Sequence, residues 1–159
     1  MADVVDTGSS TPYDHPSGPP IPIAGESPIP GTFGTKIAEF GLFVRQAAIF
    51  NSVRLTGDIG VVNNAISGET DQSVIVRITR RLQLLGAVEQ VIFSTNQEVD
   101  LGSFENVSIS YTDGGIEGSI PEGYYAYTLY ISKSVIEAEN LTFVIGPIAF
   151  SGTSYAKDS

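Results

Sequence analysis

The stretch YYAYTLYIS, residues 124–132, defines the fold class of this chain better than any other segment. Successive side chains of a β-strand point to opposite faces of the sheet, so alternate residues share a surface. One face would carry the more apolar set: Tyr125, Tyr127, Leu129 and Ile131. The other face would hold Tyr124 and Tyr130 at its ends, about 20 Å apart at the rise of an extended strand. This spacing favours one wall of a β-sandwich over an aromatic platform for a ligand.

A second stretch, SVIVRITRRLQ at residues 73–83, shows the same alternation. Its predicted core face comprises Val74, Val76, Ile78 and Leu82. The opposite face, predicted to be solvated or to meet a partner, comprises Ile75, Arg77, Thr79 and Arg81. Strands with one apolar and one polar face are typical of antiparallel sheets that cover a core on one side.

Short runs of β-forming residues, separated by turn-forming residues, fill the chain after Gly34. The predicted strands are Ala38–Arg45, Ala48–Thr56, Gly60–Asn63, Ser73–Leu82, Val88–Ser94, Glu105–Tyr111, Tyr124–Ser132 and Leu141–Ser151. Turns are predicted at Thr56–Asp58 and Thr95–Gln97, and the pattern allows a short helical stretch near Arg80–Leu85. The sequence therefore predicts an all-β antiparallel sandwich, as a jelly roll of about eight strands.

The first part of the chain has a different composition, and seven of the nine prolines fall between Pro12 and Pro30. We expect residues 1–35 to form an extended Pro/Gly-rich arm and residues 36–159 to form the sandwich, because proline excludes helices and inner strands. The arm is either a disordered tail or a segment that packs on another surface. Ile21, Ile23 and Ile29 favour the second alternative, since apolar residues that alternate with prolines suit an added strand.

The net charge of −10 and an isoelectric point near 4.3 argue against binding to nucleic acid. No apolar run approaches the roughly 18 residues of a membrane span, and we expect no membrane insertion. With no cysteine and a single histidine, His15, we expect no cofactor and no metal centre. The acidic loops at Gly68–Asp71 and Asp113–Gly115 favour ordinary turns over calcium sites.

Three of the eight basic residues, Arg77, Arg80 and Arg81, lie close together in the sequence. They form either a solvated face or a basic patch that meets acidic groups of a neighbouring subunit. If the chain assembles, the residues predicted to take part are Ile21, Ile23, Ile29, Arg77 and Arg81.

Two segments of the C-terminal half carry a family resemblance: IPEGYYAYTLYIS at residues 120–132 and LTFVIGPIAFSGTSY at residues 141–155. They resemble small β-sandwich proteins of the bacterial endospore surface, namely exosporium proteins and the jelly-roll subunits of endospore appendages. The resemblance implies synthesis in the mother cell without a signal peptide and deposition on the spore. It also implies an N-terminal extension that joins the next subunit. The appendage subunits have connector cysteines, which this chain lacks, so its assembly would be non-covalent.

These features lead us to expect a non-enzymatic structural protein that assembles, through its arm, with copies of itself or related spore-surface subunits. A filament, a surface layer and a smaller homo-oligomer are all compatible with the sequence. The alternative is a carbohydrate- or receptor-binding jelly-roll module of a surface or phage fibre. An enzyme is the poorest fit. Under the first expectation, removal of residues 1–34 would leave a folded monomer that no longer assembles.

Overall fold

The computed structural model describes residues 1–11, 19–27, 29–64, 72–100, 102–115, 118–134 and 142–159. Its strands are β1 (Asp3–Ser9), β2 (Ile21–Pro22), β3 (Thr35–Val44), β4 (Phe50–Asn63), β5 (Gln72–Leu82), β6 (Gln90–Val99), β7 (Phe104–Gly114), β8 (Gly123–Lys133) and β9 (Thr142–Lys157). These described ranges contain no helix, and hence none that could span a membrane.

The strands form two sheets in which every pair of named strands is antiparallel. Sheet A has the order β1–β9–β4–β7, and β2 also pairs with β9; sheet B has the order β3–β8–β5–β6. From β3 onward, each strand crosses to the other sheet except in the β5–β6 hairpin. β1 lies along Ser151–Ala156 and β2 along Phe143–Val144, so together they occupy one position beside β9. If β1 and β2 are counted as one strand, the fold has two four-stranded antiparallel sheets with the connections of a jelly roll. This confirms the predicted fold class.

The core lies between the sheets, on the faces that the alternation predicts. Tyr127, Leu129 and Ile131 of β8 have no exposed surface, and Tyr125 is only 5% exposed, whereas Tyr124 is 61% exposed. The predicted core residues of β5 that are fully buried are Val74, Val76 and Ile78. Phe40 links the two sheets, since its ring lies 5.8 Å from that of Tyr127 and 4.8 Å from that of Phe150.

The predicted turn at Thr56–Asp58 is wrong, because β4 runs without interruption through this segment. The glycines there serve close packing: a Cβ on Gly57 would lie 3.0 Å from Ile109, and one on Gly60 would lie 1.8 Å from the Gly146 carbonyl oxygen. Glycine within a strand often marks such a close approach. The two predicted strands, Ala48–Thr56 and Gly60–Asn63, are therefore one central strand of sheet A.

A second predicted turn, at Thr95–Gln97, is wrong for a similar reason, because it lies within β6, which pairs with β5 as far as Val99. Pairing with a neighbouring strand outweighs the local preference of these polar residues for a turn. The short helical stretch that the sequence allows near Arg80–Leu85 does not form: β5 continues to Leu82 and is followed by a turn.

The N-terminal residues, predicted to be an arm, belong largely to the sandwich. β1 completes the edge of sheet A, and Ile23 is fully buried in the core of its own chain. Backbone hydrogen bonds continue the attachment, since the Lys133 amide donates to the Ala24 carbonyl and the Glu26 amide donates to the Lys133 carbonyl. A deletion of residues 1–34 would thus remove two strands, β1 and β2, and a core side chain, and we no longer expect it to leave the fold intact.

Ile23→Ala should lower the free energy of unfolding by roughly 3 kcal/mol, because it removes a fully buried side chain and leaves a cavity. The matched control is Ile29→Ala, since Ile29 is 65% exposed in the same segment. Urea denaturation measures both changes. A loss for Ile23→Ala no larger than that for Ile29→Ala would contradict the assignment of Ile23 to the core.

Candidate functional sites on sheet B

The predicted assembly residues do not lie together. Ile21 is half-buried in β2, Ile23 is in the core, and Ile29 is exposed. Arg77 and Arg81 project from the outer face of sheet B, where one is half-buried and the other is exposed. The structure therefore gives these residues different environments, and their role in assembly stays a prediction.

Arg77 binds two residues of the N-terminal segment, Glu26 and Phe33, to the outer face of sheet B. Its guanidinium forms an ion pair with Glu26 and donates to the hydroxyl of Ser132, 3.0 Å away, and to the carbonyl of Phe33, 3.4 Å away. The Phe33 ring lies 5.4 Å from that of Tyr130 on the same face. Arg77 thus has an acidic partner within its own chain.

The β5–β6 turn also covers part of this face. Glu89 accepts hydrogen bonds from the Thr79 hydroxyl, at 2.6 Å, and from the Tyr130 hydroxyl, at 2.9 Å. Burial and the hydrogen bond to Glu89 raise the pKa of Tyr130 to about 12. Thr79 was predicted to be solvated or to face a partner, but it has no exposed surface because this turn lies over it.

A groove remains open between the turn and strands β3 and β8. Its volume is about 490 Å³, and it is lined by Glu39, Arg81, Leu82, Gln83, Leu84, Leu85 and Ala126. Strand register explains the depression: Gly41 of β3 lies opposite Ala126 of β8, so two small residues face outward side by side. Larger pairs stand on either side, Phe43 with Tyr124 and Glu39 with Thr128.

The two ends of the groove differ in chemistry. Beyond one end, next to the lining residues and not among them, the exposed Tyr124 ring lies 4.9 Å from the ring of Phe43. At the other end Glu39 accepts hydrogen bonds through Oε2 from the Thr128 hydroxyl, at 2.7 Å, and from Lys36, at 2.9 Å. Partial burial opposes ionisation of this carboxyl group, but these two hydrogen bonds, together with the positive charges of Lys36 and Arg81, outweigh it and hold the pKa of Glu39 below its usual value.

Two polar side chains of β5 and its turn reach the same groove. Within the part of the chain that the structure describes, the Arg81 guanidinium has no hydrogen-bond partner, although the charge of Arg81 acts on Glu39. Gln83 continues the β-ladder, since its amide donates to the Tyr124 carbonyl at 2.8 Å. Its side-chain nitrogen lies 3.1 Å from the place where a Cβ on Gly41 would be. Arg81 and Gln83 thus bring hydrogen-bonding groups to a depression that lies next to an exposed aromatic pair.

Arg80, which the sequence grouped with the other two arginines, points into the sandwich instead. Its guanidinium lies 2.7 Å from Asp113 of β7, and the Tyr127 hydroxyl donates to the same carboxylate oxygen at 3.0 Å. Burial opposes ionisation of Arg80, but Asp113 outweighs it and raises the Arg80 pKa. This network joins the two sheets, and Arg80 shares the core-facing parity of Val76 and Ile78, which is the signal that could have revealed it.

The described residues contain no cluster of acidic and histidine side chains that could hold a metal ion. In the predicted loop at Asp113–Gly115, the carboxylate is engaged by Arg80. His15 and the loop at Gly68–Asp71 lie outside the described residues.

Comparison with known proteins gave no matching family model and no matching curated protein. Among solved structures, the chain is similar to one described as the structure of infectious bursal disease virus Gx strain, with 14% identity and a TM-score of 0.38 over 98% of this chain. The chain spans 32% of the length of that viral chain. It is also similar to Family 16 Carbohydrate Binding Module-2, with 11% identity and a TM-score of 0.19 over 83% of this chain and 82% of that one. The assignment of the fold as a jelly roll rests on the strand order of the two sheets.

Proposed function

We propose that this chain is a non-enzymatic structural subunit that assembles with copies of itself by exchanging β1 between neighbours. In an assembly, β1 of one copy would lie beside β9 of the next copy and make the contacts that it otherwise makes within its own chain. A spore surface as the place of assembly is part of this proposal and rests on the sequence resemblance.

The observation that carries the proposal is how β1 is held. None of its seven residues is buried, and their side chains are exposed or half-buried. β1 is attached mainly by its backbone ladder to Ser151–Ala156 of β9. When such a strand dissociates, little buried side-chain surface becomes exposed. The β9 strand of an identical chain can form the same backbone hydrogen bonds with it, so exchange of β1 between copies costs little free energy.

Two contacts make the receiving edge specific for β1. The Asp6 carboxylate accepts a hydrogen bond from the Phe43 amide at 2.8 Å, which ties β1 to sheet B. A Cβ on Gly8 would lie 2.6 Å from the Phe40 ring and 2.7 Å from the Gly41 carbonyl oxygen, so glycine fits this position where a larger residue would clash. Both contacts fix the register of β1, whichever copy supplies it.

The chain after β1 is anchored separately. Ile23 is buried in the core, and Glu26 is paired with Arg77, so this segment is expected to stay with its own sandwich. The sequence between β1 and β2 contains Pro12, Pro16, Pro19 and Pro20. Each subunit would then donate one strand and receive one, and repeated exchange would give an open filament or a closed ring.

Deletion of residues 1–11 tests the proposal, because it removes β1 and keeps Ile23 and Glu26. We expect the truncated protein to keep a cooperative urea transition but to remain monomeric by light scattering and electron microscopy, while the full chain forms assemblies. Phe104→Ala in the full chain is the control, because Phe104 is 52% exposed on β7, at the opposite edge of sheet A from β1, and this variant should assemble normally. The proposal is wrong if the truncated protein assembles like the full chain, or if the full chain stays monomeric at every concentration.

A further inference from the structure

A second feature, independent of β1, is the groove on the outer face of sheet B. Its floor is Ala126, which is 4% exposed although it lies on the outer face, and the side-chain nitrogen of Gln83 lies over the neighbouring Gly41. Positions 39 and 43 of β3, which carry Glu39 in the lining and Phe43 beside the groove, are about 14 Å apart at the rise of an antiparallel strand. The volume of about 490 Å³ lies within the range of roughly 300–1,000 Å³ of small-molecule sites.

The groups around this floor have complementary chemistry. Tyr124 offers an aromatic ring that is 61% exposed and supported by Phe43. Arg81 offers a planar set of donors, and the Gln83 amide offers a donor and an acceptor. At the far end, both hydrogen bonds of Glu39 go to Oε2, so among the described residues its Oε1 has no hydrogen-bond partner.

We infer that this groove binds a neutral saccharide. An aromatic ring stacks on the apolar C–H face of a sugar, while planar donors and a carboxylate bind its neighbouring hydroxyl groups in pairs. The saccharide would enter the groove over Ala126, with the apolar face of one sugar ring against Tyr124 beside the groove and with hydroxyl groups toward Arg81, Gln83 and Glu39.

The charge of the groove favours a neutral ligand over an anion. The carboxylate of Glu39 stands beside Arg81 in the lining, and the chain as a whole carries a charge of −10. A phosphate or an acidic sugar would be attracted by one of these groups and repelled by the other, as well as by the whole protein. A hydroxyl group can donate to the carboxylate and accept from the guanidinium, so a neutral polyol satisfies both.

The test is a binding assay with soluble hexasaccharides of glucose, N-acetylglucosamine, xylose and mannose, by isothermal titration and by saturation-transfer NMR. We expect at least one of them to bind, and Tyr124→Ala to weaken that binding by at least tenfold. Arg81→Lys should weaken it severalfold, because lysine keeps the charge but loses the planar pair of donors. Phe104→Ala is the matched control, since Phe104 is an aromatic residue on sheet A that is 52% exposed, and it should leave binding unchanged.

All variants are first compared by thermal unfolding, and both groove residues are exposed, so we expect them to fold. The inference is overturned if no hexasaccharide binds the folded protein. It is also overturned if Tyr124→Ala and Arg81→Lys bind as the wild type does, or if Phe104→Ala loses binding equally. The binding assay uses point variants of the full chain, whereas the assembly test deletes residues 1–11, so saccharide binding and assembly are tested separately.

Discussion

Gly60→Ala is expected to prevent folding, or to lower the free energy of unfolding by more than about 4 kcal/mol. The added Cβ would lie 1.8 Å from the carbonyl oxygen of Gly146 and 2.4 Å from its carbonyl carbon. These are backbone atoms of the neighbouring strand, and they cannot turn aside as the end of a long side chain does. β4 and β9 pair on both sides of this point, Ile59 with Ile148 and Val61 with Val144, and the register shifts between these two pairs. To remove the clash, the two strands would have to separate at the centre of sheet A.

Gly118→Ala provides the control for this substitution. A Cβ on Gly118 would have no neighbour within 4 Å, and its effect should stay within about 0.5 kcal/mol. Urea denaturation followed by circular dichroism measures both variants. If Gly60→Ala were as stable as Gly118→Ala, the close approach of β4 and β9 would be wrong.

Asp113→Ala is expected to cost roughly 4 kcal/mol, because it leaves the buried charge of Arg80 without a partner. The side chains of Asp113 and Arg80 are only 8% and 18% exposed, and Asp113 also accepts a hydrogen bond from the hydroxyl of Tyr127. Replacing both charges, with Arg80→Met and Asp113→Leu together, should cost clearly less than Asp113→Ala alone, since no unpaired charge remains.

Asp158→Ala is the control for the buried pair. It removes the partner of Arg45 in an exposed ion pair, and we expect a much smaller loss of stability. Urea denaturation of the three variants and the wild type supplies the comparison. Equal losses for Asp113→Ala and Asp158→Ala would show that the Arg80–Asp113 pair does not join the sheets in the way described here.

The alternation of side chains predicted much of this fold correctly, because it is a local property of each strand. Tyr125 and Tyr127 enter the core and Tyr124 is exposed, as the stretch at residues 124–132 predicts. The same alternation places Val76 and Ile78 inside. Strand direction and burial therefore follow from the sequence wherever one face of the sheet is apolar.

Other features depend on contacts between distant residues, and the sequence did not predict them. Gly57 and Gly60 lie in a continuous strand because β7 and β9 approach it closely, whereas locally they resemble a turn. Ile23 lies among prolines and was assigned to an arm, but its side chain is buried in the core of its own chain. Propensity describes a residue with its near neighbours, and here the packing partners lie far along the chain.

The groove was missed for the same reason. The sequence analysis considered only the spacing of Tyr124 and Tyr130 along one strand. The aromatic partner of Tyr124 is Phe43, which lies on the adjacent strand. The small floor likewise arises from the register of Gly41 with Ala126. Neither pairing can be read from a single sequence.

Exchange of β1 is tested most directly by mixing two single-cysteine variants, Ser9→Cys and Ser151→Cys. These positions face each other across β1 and β9, and the amide of the next residue, Ser10, donates to Phe150, so the pair is not hydrogen-bonded and its side chains are close. The natural chain has no cysteine. Mild oxidation of assemblies grown from the mixture should therefore yield a disulfide between residue 9 of one copy and residue 151 of another. A yield no greater than that from Ser9→Cys mixed with Ser94→Cys, a position on β6, would contradict the exchange.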